Sequence, residues 1–378
     1  MNIKLILFST FSIFSSAALY AQQLQLNQLS LPKGFSIDVY AGNVDGARQL
    51  TIDDQGVVFV GSRGEGKVYA LMPNASKTKA KKVITLLSGL NYPNGVSFHE
   101  GKLYVGELDQ VSMYKLSRTT NTIKASPNGV IGSFPNKRWH GYKYIKFSPE
   151  GKLYTAVGMP CNTCFYRDTQ PIFGTIVKIN ATDDIEIMAR GIRNSVGFDW
   201  QPKSGSLWFT DNGQDMLGDD TPPDELNRIS YKGEDFGFPY VYGDNVPAPD
   251  YIGKPIPKNL TKPEHKFQAH VAPLGMTFYT GGQFPKPYQN QMLISQHGSW
   301  NRTTPVGYRI MLVTLNGSKI TQVKPFISGW LGDKNQVLGR PVDILNMPDG
   351  SILISDDYAN AVYRVSYQNA HSLSHQNK

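Results

Sequence analysis

Three stretches of the chain place a charge-handling side chain directly ahead of an extended apolar run. His140 stands before the run in RWHGYKYIKF, Arg193 and Asn194 before GIRNSVGF closes, and Arg340 before the run in LGRPVDIL. A neutral imidazole can take a proton from a hydroxyl. A guanidinium offers a planar fork to a carboxylate or a developing oxyanion, and a carboxamide both donates and accepts. Residues 210–229 (TDNGQDMLGDDTPPDELNRI) gather carboxylates and turn carbonyls, the hard oxygens that Ca²⁺ takes, without the spacing of an EF-hand loop. Residues 295–310 (SQHGSWNRTTPVGYRI) carry His297, Trp300 and Arg302, aromatic and cationic groups that suit a flat anionic ring system. Taken singly, each stretch is as consistent with a structural histidine, an ion pair or a solvated loop.

What must position these residues is a repeat. An extended run, a Gly-bearing turn and a second extended run recur at residues 50–71, 96–116, 145–158, 196–212, 276–296 and 342–365. A sheet that recurs cannot bury its apolar face alone, so neighbouring copies must stack and close. Six copies predict an all-β, six-bladed β-propeller of four-stranded antiparallel blades around a central channel. Residues ahead of the first strand of each blade then converge on one rim, which brings His140, Arg193 and Arg340 together. The strand at residues 35–41 (FSIDVYA) is expected to complete the last blade and leave no open edge. The turn centres are unevenly spaced, so some blades carry insertions, the largest between the fourth and fifth. Within it, one short turn of helix is expected around residues 224–228. Residues 22–32 read as a flexible or strand-like lead, residues 33–367 as one propeller domain, and residues 368–378 as a disordered polar tail.

Composition agrees with an all-β chain: 378 residues with 36 Gly, 24 Pro and 11% aromatics. The formal charge of +8 comes without the clustered basic runs and interleaved aromatics of a nucleic-acid binder. The segment around Lys77–Lys82 reads as a solvated loop or strand edge. Residues 1–21 have Lys4, an apolar run and small residues before Ala21, the pattern of a secretory signal peptide. The expected location is periplasmic or secreted, with no membrane anchor after cleavage. The two cysteines, Cys161 and Cys164, are close enough for a small-loop disulfide in an oxidising compartment, structural or redox-active.

On RWHGYKYIKFSPEGKLY, GIRNSVGFDW, the DNG…PDELNRI…GEDFGFPY block, HGSWNR and GRPVDIL, the chain resembles the soluble quinoprotein glucose/sorbosone dehydrogenases over about residues 33–367. The sorbosone-dehydrogenase-like branch is the nearest in pattern. The resemblance implies pyrroloquinoline quinone (PQQ) and Ca²⁺ at the channel mouth, and oxidation of a sugar or related alcohol or aldehyde. It implies that His140 takes the hydroxyl proton while hydride passes to the quinone. Arg193 and Asn194 would meet the quinone oxygens, with Asn212 beside them, and the carbonyls of Gly213 and Gln214 would ligate the metal. Arg340 would meet a cofactor carboxylate. PQQ carries three carboxylates, so a basic rim suits it.

The chain also departs from the family pattern. VGMPCNTC stands where sugar-oxidising relatives carry a GDQG-type loop with an acid near the substrate. Val342 stands where a second arginine is expected. The family's cofactor lysine has no clean counterpart in SQHGSWNR, where His297 and Arg302 are the candidates to replace it, with Trp300 between them. Two other readings are open: a calcium-dependent lactonase-like hydrolase, which needs Glu, Asp and Asn converging from several blades, and a non-catalytic propeller binding module. The substrate, the electron acceptor and the oligomeric state are not legible.

Overall fold

The computed structural model describes residues 25–119 and 121–368. The expected signal peptide and all but the first residue of the expected tail lie outside them. β-Branched and aromatic residues alternating between Gly turns form strands that pair antiparallel into six sheets, each begun by a strand at the channel. These inner strands are Leu50–Ile52, Gly95–His99, Ile145–Phe147, Phe198–Trp200, Pro273–Phe278 and Pro341–Asn346. They pack against one another around the ring. Apolar side chains fill the space between blades: Phe59 and Leu103 between blades one and two, Phe198 and Phe209 between three and four. Among the described residues no helix is long and apolar enough to cross a membrane.

The ring is closed by the N-terminal strand Phe35–Ala41, which pairs antiparallel with the last strand, Ala361–Tyr367, as the outer strand of blade six. Polar side chains stitch the channel wall across blades. Gln49 of blade one donates from Nε2 to the carbonyl of Ile145 at 2.6 Å, and its Oε1 accepts from the backbone of Ile145 and Val96. Such bonds satisfy inner-strand groups that face neither solvent nor a ladder partner.

Four details depart from the expectation. Residues 224–228 are not helical: they lie in the strand Pro223–Ile229, whose residues pair with Leu207–Asp211. A neighbouring strand offering a ladder outweighs the helix propensity of Asp-Glu-Leu. The insertion after it sends a short fifth strand, Glu234–Asp235, back to blade three, where it pairs parallel with Asp184–Arg190. A two-stranded hairpin, Val241–Tyr242 with Val246–Pro247, follows. The described part of the lead, residues 25–32, is docked: it holds the 3-10 turn Leu26–Gln28, and Leu26, Leu29 and Leu31 pack on the core between blades five and six. As expected, Lys81 and Lys82 are exposed at a strand edge, on Ala80–Leu87, the outer strand of blade one.

Candidate active site

Inner strands begin, and second strands end, at the same mouth of the channel. Two sets of loops therefore meet there: those ahead of the inner strands and those joining second to third strands. His140, Arg193, Asn194, Asn212, Gly213 and Trp300 line one cavity at this mouth, with Asp215, Asp224, His270, Ala272 and Asn301. Gln214 lines the adjoining cleft with Arg193, Asn212 and Gly213.

His140 sits in the left-handed backbone region, with φ of 51°. Gly158 of the neighbouring strand end has no side chain for a reason: a Cβ there would lie 2.5 Å from the His140 carbonyl oxygen and 2.7 Å from its Cβ. The imidazole Nδ1 lies 2.7 Å from the carbonyl of Met159, and Nε2 lies 3.0 Å from the indole Nε1 of Trp139. A carbonyl only accepts and an indole N–H only donates, which fixes the tautomer: Nδ1 is protonated and Nε2 presents its lone pair. Burial, and secondarily the charge of Arg193, lowers the imidazole pKa to about 3. The ring is therefore neutral at physiological pH, and its one acceptor nitrogen holds the indole N–H of Trp139.

Arg193 is 3% exposed and heavily engaged. Its Nε donates to the carbonyl of Asn162 (3.1 Å), one terminal nitrogen to the carbonyl of Asn212 (3.2 Å), and the other to Asn162 Oδ1 (2.9 Å) and Asp215 Oδ2 (2.7 Å). Its backbone N–H, and that of Asn194, donate to Asp211. The side chain of Asn212 donates to the carbonyl of Asn194 at 2.9 Å. Asp224 accepts from the backbone of Gly213 (2.8 Å) and Ala272 (2.9 Å), so the turn at 212–214 is held from below. Burial pushes the carboxyl pKa values of Asp211, Asp224 and Glu225 up to about 7, 6 and 8.

On the opposite side, Arg340 donates to the carbonyls of His297 (3.2 Å) and Gly298 (2.5 Å) and lies over the ring of Tyr308 at 5.4 Å. His297 bonds through Nε2 to Asp357 at 2.8 Å. Arg302 does not line the cavity: it bonds to the carbonyl of Asp219 and pairs with Asp220, tying its loop to the acidic stretch of blade four.

Sequence reasoning missed several residues. Arg48 stands just ahead of the first inner strand, the same signal that marked Arg193 and Arg340. It is 3% exposed, pairs with Asp357 at 3.0 Å and lies 5.6 Å from the ring of Tyr142. Arg63 approaches the same carboxylate at 3.6 Å. Burial pushes Asp357 up, but His297, Arg48 and Arg63 together hold its carboxyl well below the usual range. Asn162 carried no signal beyond its cysteines. Cys161 and Cys164 form the expected disulfide, and this loop presents Asn162 to both Arg193 and Asp215.

These residues fit a flat polyanion beside a hard cation. Arg340 has no carboxylate partner among the described residues, and Arg48 and Arg63 share one. The carbonyls of Gly213 and Gln214 accept no hydrogen bond among the described residues, and Oδ1 of Asn301, on the same wall, is buried without a partner. Carbonyl oxygens are the donors a Ca²⁺ site uses, and unneutralised guanidinium groups are what a tricarboxylate needs.

The profile of the glucose/sorbosone dehydrogenases matches residues 96–364, and the chain belongs to that family. It is 37% identical to an uncharacterised protein of Borreliella burgdorferi, over 96% of this chain and 97% of the other. An aldose sugar dehydrogenase of Escherichia coli is 24% identical, over 60% of this chain and 59% of its own. Among solved structures, a family AA12 carbohydrate-active enzyme of Trichoderma reesei, in its calcium form, has a TM-score of 0.79 at 20% identity, covering 90% of this chain and 97% of the other. The PQQ-bound aldose sugar dehydrogenase of Streptomyces coelicolor has a TM-score of 0.62 at 16% identity, covering 90% and 100%. At those identities the structural likeness speaks to the fold.

Proposed function

We propose that this protein is a PQQ- and Ca²⁺-dependent oxidoreductase that oxidises a sugar, or a related alcohol or aldehyde, at the channel mouth, and acts in the periplasm or outside the cell. The observation that carries this reading is the cavity at the channel mouth, where a neutral imidazole, the fixed guanidinium of Arg193 and the unengaged turn carbonyl of Gly213 meet, with Arg340, which has no carboxylate partner among the described residues, at the start of blade six. Two relatives named as sugar dehydrogenases, one of them PQQ-bound, support it.

Arg340, with Arg48 and Arg63, would hold the cofactor carboxylates, and the carbonyls of Gly213 and Gln214 would hold the metal. When bound, the quinone supplies a hydride acceptor and Ca²⁺ polarises its carbonyl. His140 takes the substrate hydroxyl proton at Nε2, while its Nδ1–H to Met159 keeps the ring in that tautomer. Arg193 and Asn194 face the developing negative charge, with Asn212 beside them. Asn162 and Asp215 fix the Arg193 guanidinium so that it need not reorganise as charge develops. Trp300, 63% exposed on the cavity wall, offers an aromatic face to a sugar ring.

The hydrolase reading needs carboxylates converging on a metal. Among the described residues no group of three or more His, Cys, Asp or Glu side chains is placed to hold one. The decisive experiment reconstitutes the purified mature chain with PQQ and Ca²⁺ and follows the bound-quinone absorption band while a sugar panel is added. Bleaching by any sugar is the expected result. Absence of a bound-quinone band, or lactone hydrolysis without PQQ, overturns the proposal.

A further inference from the structure

Trp139 is 56% exposed, yet its indole N–H turns inward onto His140 Nε2 at 3.0 Å, with the two rings at 85°. An indole nitrogen donates one bond and accepts none, and a neutral imidazole has one lone pair. The bond therefore fills the single position on His140 that could receive a proton. A substrate hydroxyl and the indole cannot both occupy it.

We propose that Trp139 is a displaceable cap on His140: its N–H fills Nε2 in the resting protein, and the hydroxyl of an incoming sugar must replace it before proton transfer. The proposal rests on the assignment of His140 as base. The exposure of the indole lets it swing into solvent without opening the core. The imidazole stays in place while it does so, because Nδ1 is separately anchored to the carbonyl of Met159 at 2.7 Å. His140, with its backbone in the left-handed region, is also packed against Gly158, so the movable partner is the indole. The cap also has a chemical consequence. A donor aimed at Nε2 favours the neutral ring and keeps the base from taking a proton from solvent before substrate arrives.

The test uses nitrogen-15 NMR of the full mature chain at neutral pH, with no cofactor needed. The indole N–H resonance of Trp139 is assigned by its loss in Trp139→Phe. His140→Phe, which removes the acceptor, is expected to shift that resonance. Trp139→Phe is expected to move the Nε2 resonance of His140 toward that of an unbonded imidazole nitrogen, a readout that holds even where His140→Phe does not fold. If His140 Nε2 has the same shift in wild type and Trp139→Phe, the cap is overturned. In the loaded enzyme, Trp139→Phe is expected to lower KM about fivefold at unchanged kcat, the fold-change equivalent of one hydrogen bond that no longer competes. A KM that is unchanged or raised overturns displacement. If no sugar is turned over by wild type, the functional reading fails, whereas the cap stands or falls on the two NMR shifts.

Discussion

In blades four and six, a carboxylate at the end of the second strand takes the backbone N–H of the arginine ahead of the inner strand. Asp211 does so for Arg193 and Asp356 for Arg340, both at 2.9 Å. The guanidinium groups then meet different surroundings. That of Arg193 is pinned by Asp215 and Asn162, which neutralises its charge and spends most of its donors. Among the described residues, that of Arg340 meets only carbonyls and the face of Tyr308. Across the mouth, Arg48 and Arg63 share the single carboxylate of Asp357. One side of the rim holds His140 and pairs its arginine with a carboxylate; the other keeps guanidinium groups in excess of carboxylates. On the proposed function, the same backbone device serves two purposes, chemistry beside blades three and four and anchorage of an anion beside blades five, six and one.

The largest way to break this division is His140→Gln. Turnover is expected to fall about 10²- to 10⁴-fold while quinone binding, read by absorption, stays near wild type. Loss of binding together with turnover would erase the distinction between the two sides. Arg340→Met is expected to do the converse, weakening PQQ binding about 10- to 100-fold in a titration. Asn162→Ala removes the side-chain bonds that grip Arg193 and Asp215. Its expected signature is a roughly tenfold fall in kcat with quinone affinity within about threefold. Affinity falling as far as kcat would move Arg193 to the anchoring side.

Gly158→Ala is expected to cost about 1–3 kcal/mol in a denaturant titration, since its Cβ would meet the His140 backbone at 2.5 Å. A further effect is expected on stability in acid. The folded pKa of His140 is lowered to about 3, against about 6.5 when unfolded, so between those values the unfolded chain binds the extra proton. Stability that His140 contributes above pH 6.5 is therefore lost as pH falls toward 3. Thermal melts of His140→Gln should have a shallower pH slope over that window, and equal slopes would argue against a buried neutral ring.

The ring was legible because the repeat carries it, and so were His140, Arg193 and Arg340, because standing ahead of an inner strand is a position that sequence marks. Arg48 obeys the same rule in GARQLTI but lacks the surrounding motif that singled out the others. Asn162 was not legible as a positioning residue. Its partners Arg193 and Asp215 come from another blade, 31 and 53 residues away, and only closure of the ring brings them together. Residues 224–228 misled because local propensity cannot see the strand Leu207–Asp211 waiting beside them. Arg302 misled differently: its neighbours in sequence face the cavity, but Asp219 and Asp220 draw its guanidinium outward.

The clasp of blade six joins strands from opposite ends of the chain, with Ser36 meeting Ser366 across 330 positions. The first blade edge to leave the ribosome finds its neighbour only when almost everything else has been made. Completion of the circle therefore waits on the last strand of the ring and is governed by the slow meeting of distant segments rather than by local order. Until then blade six lacks its outer strand.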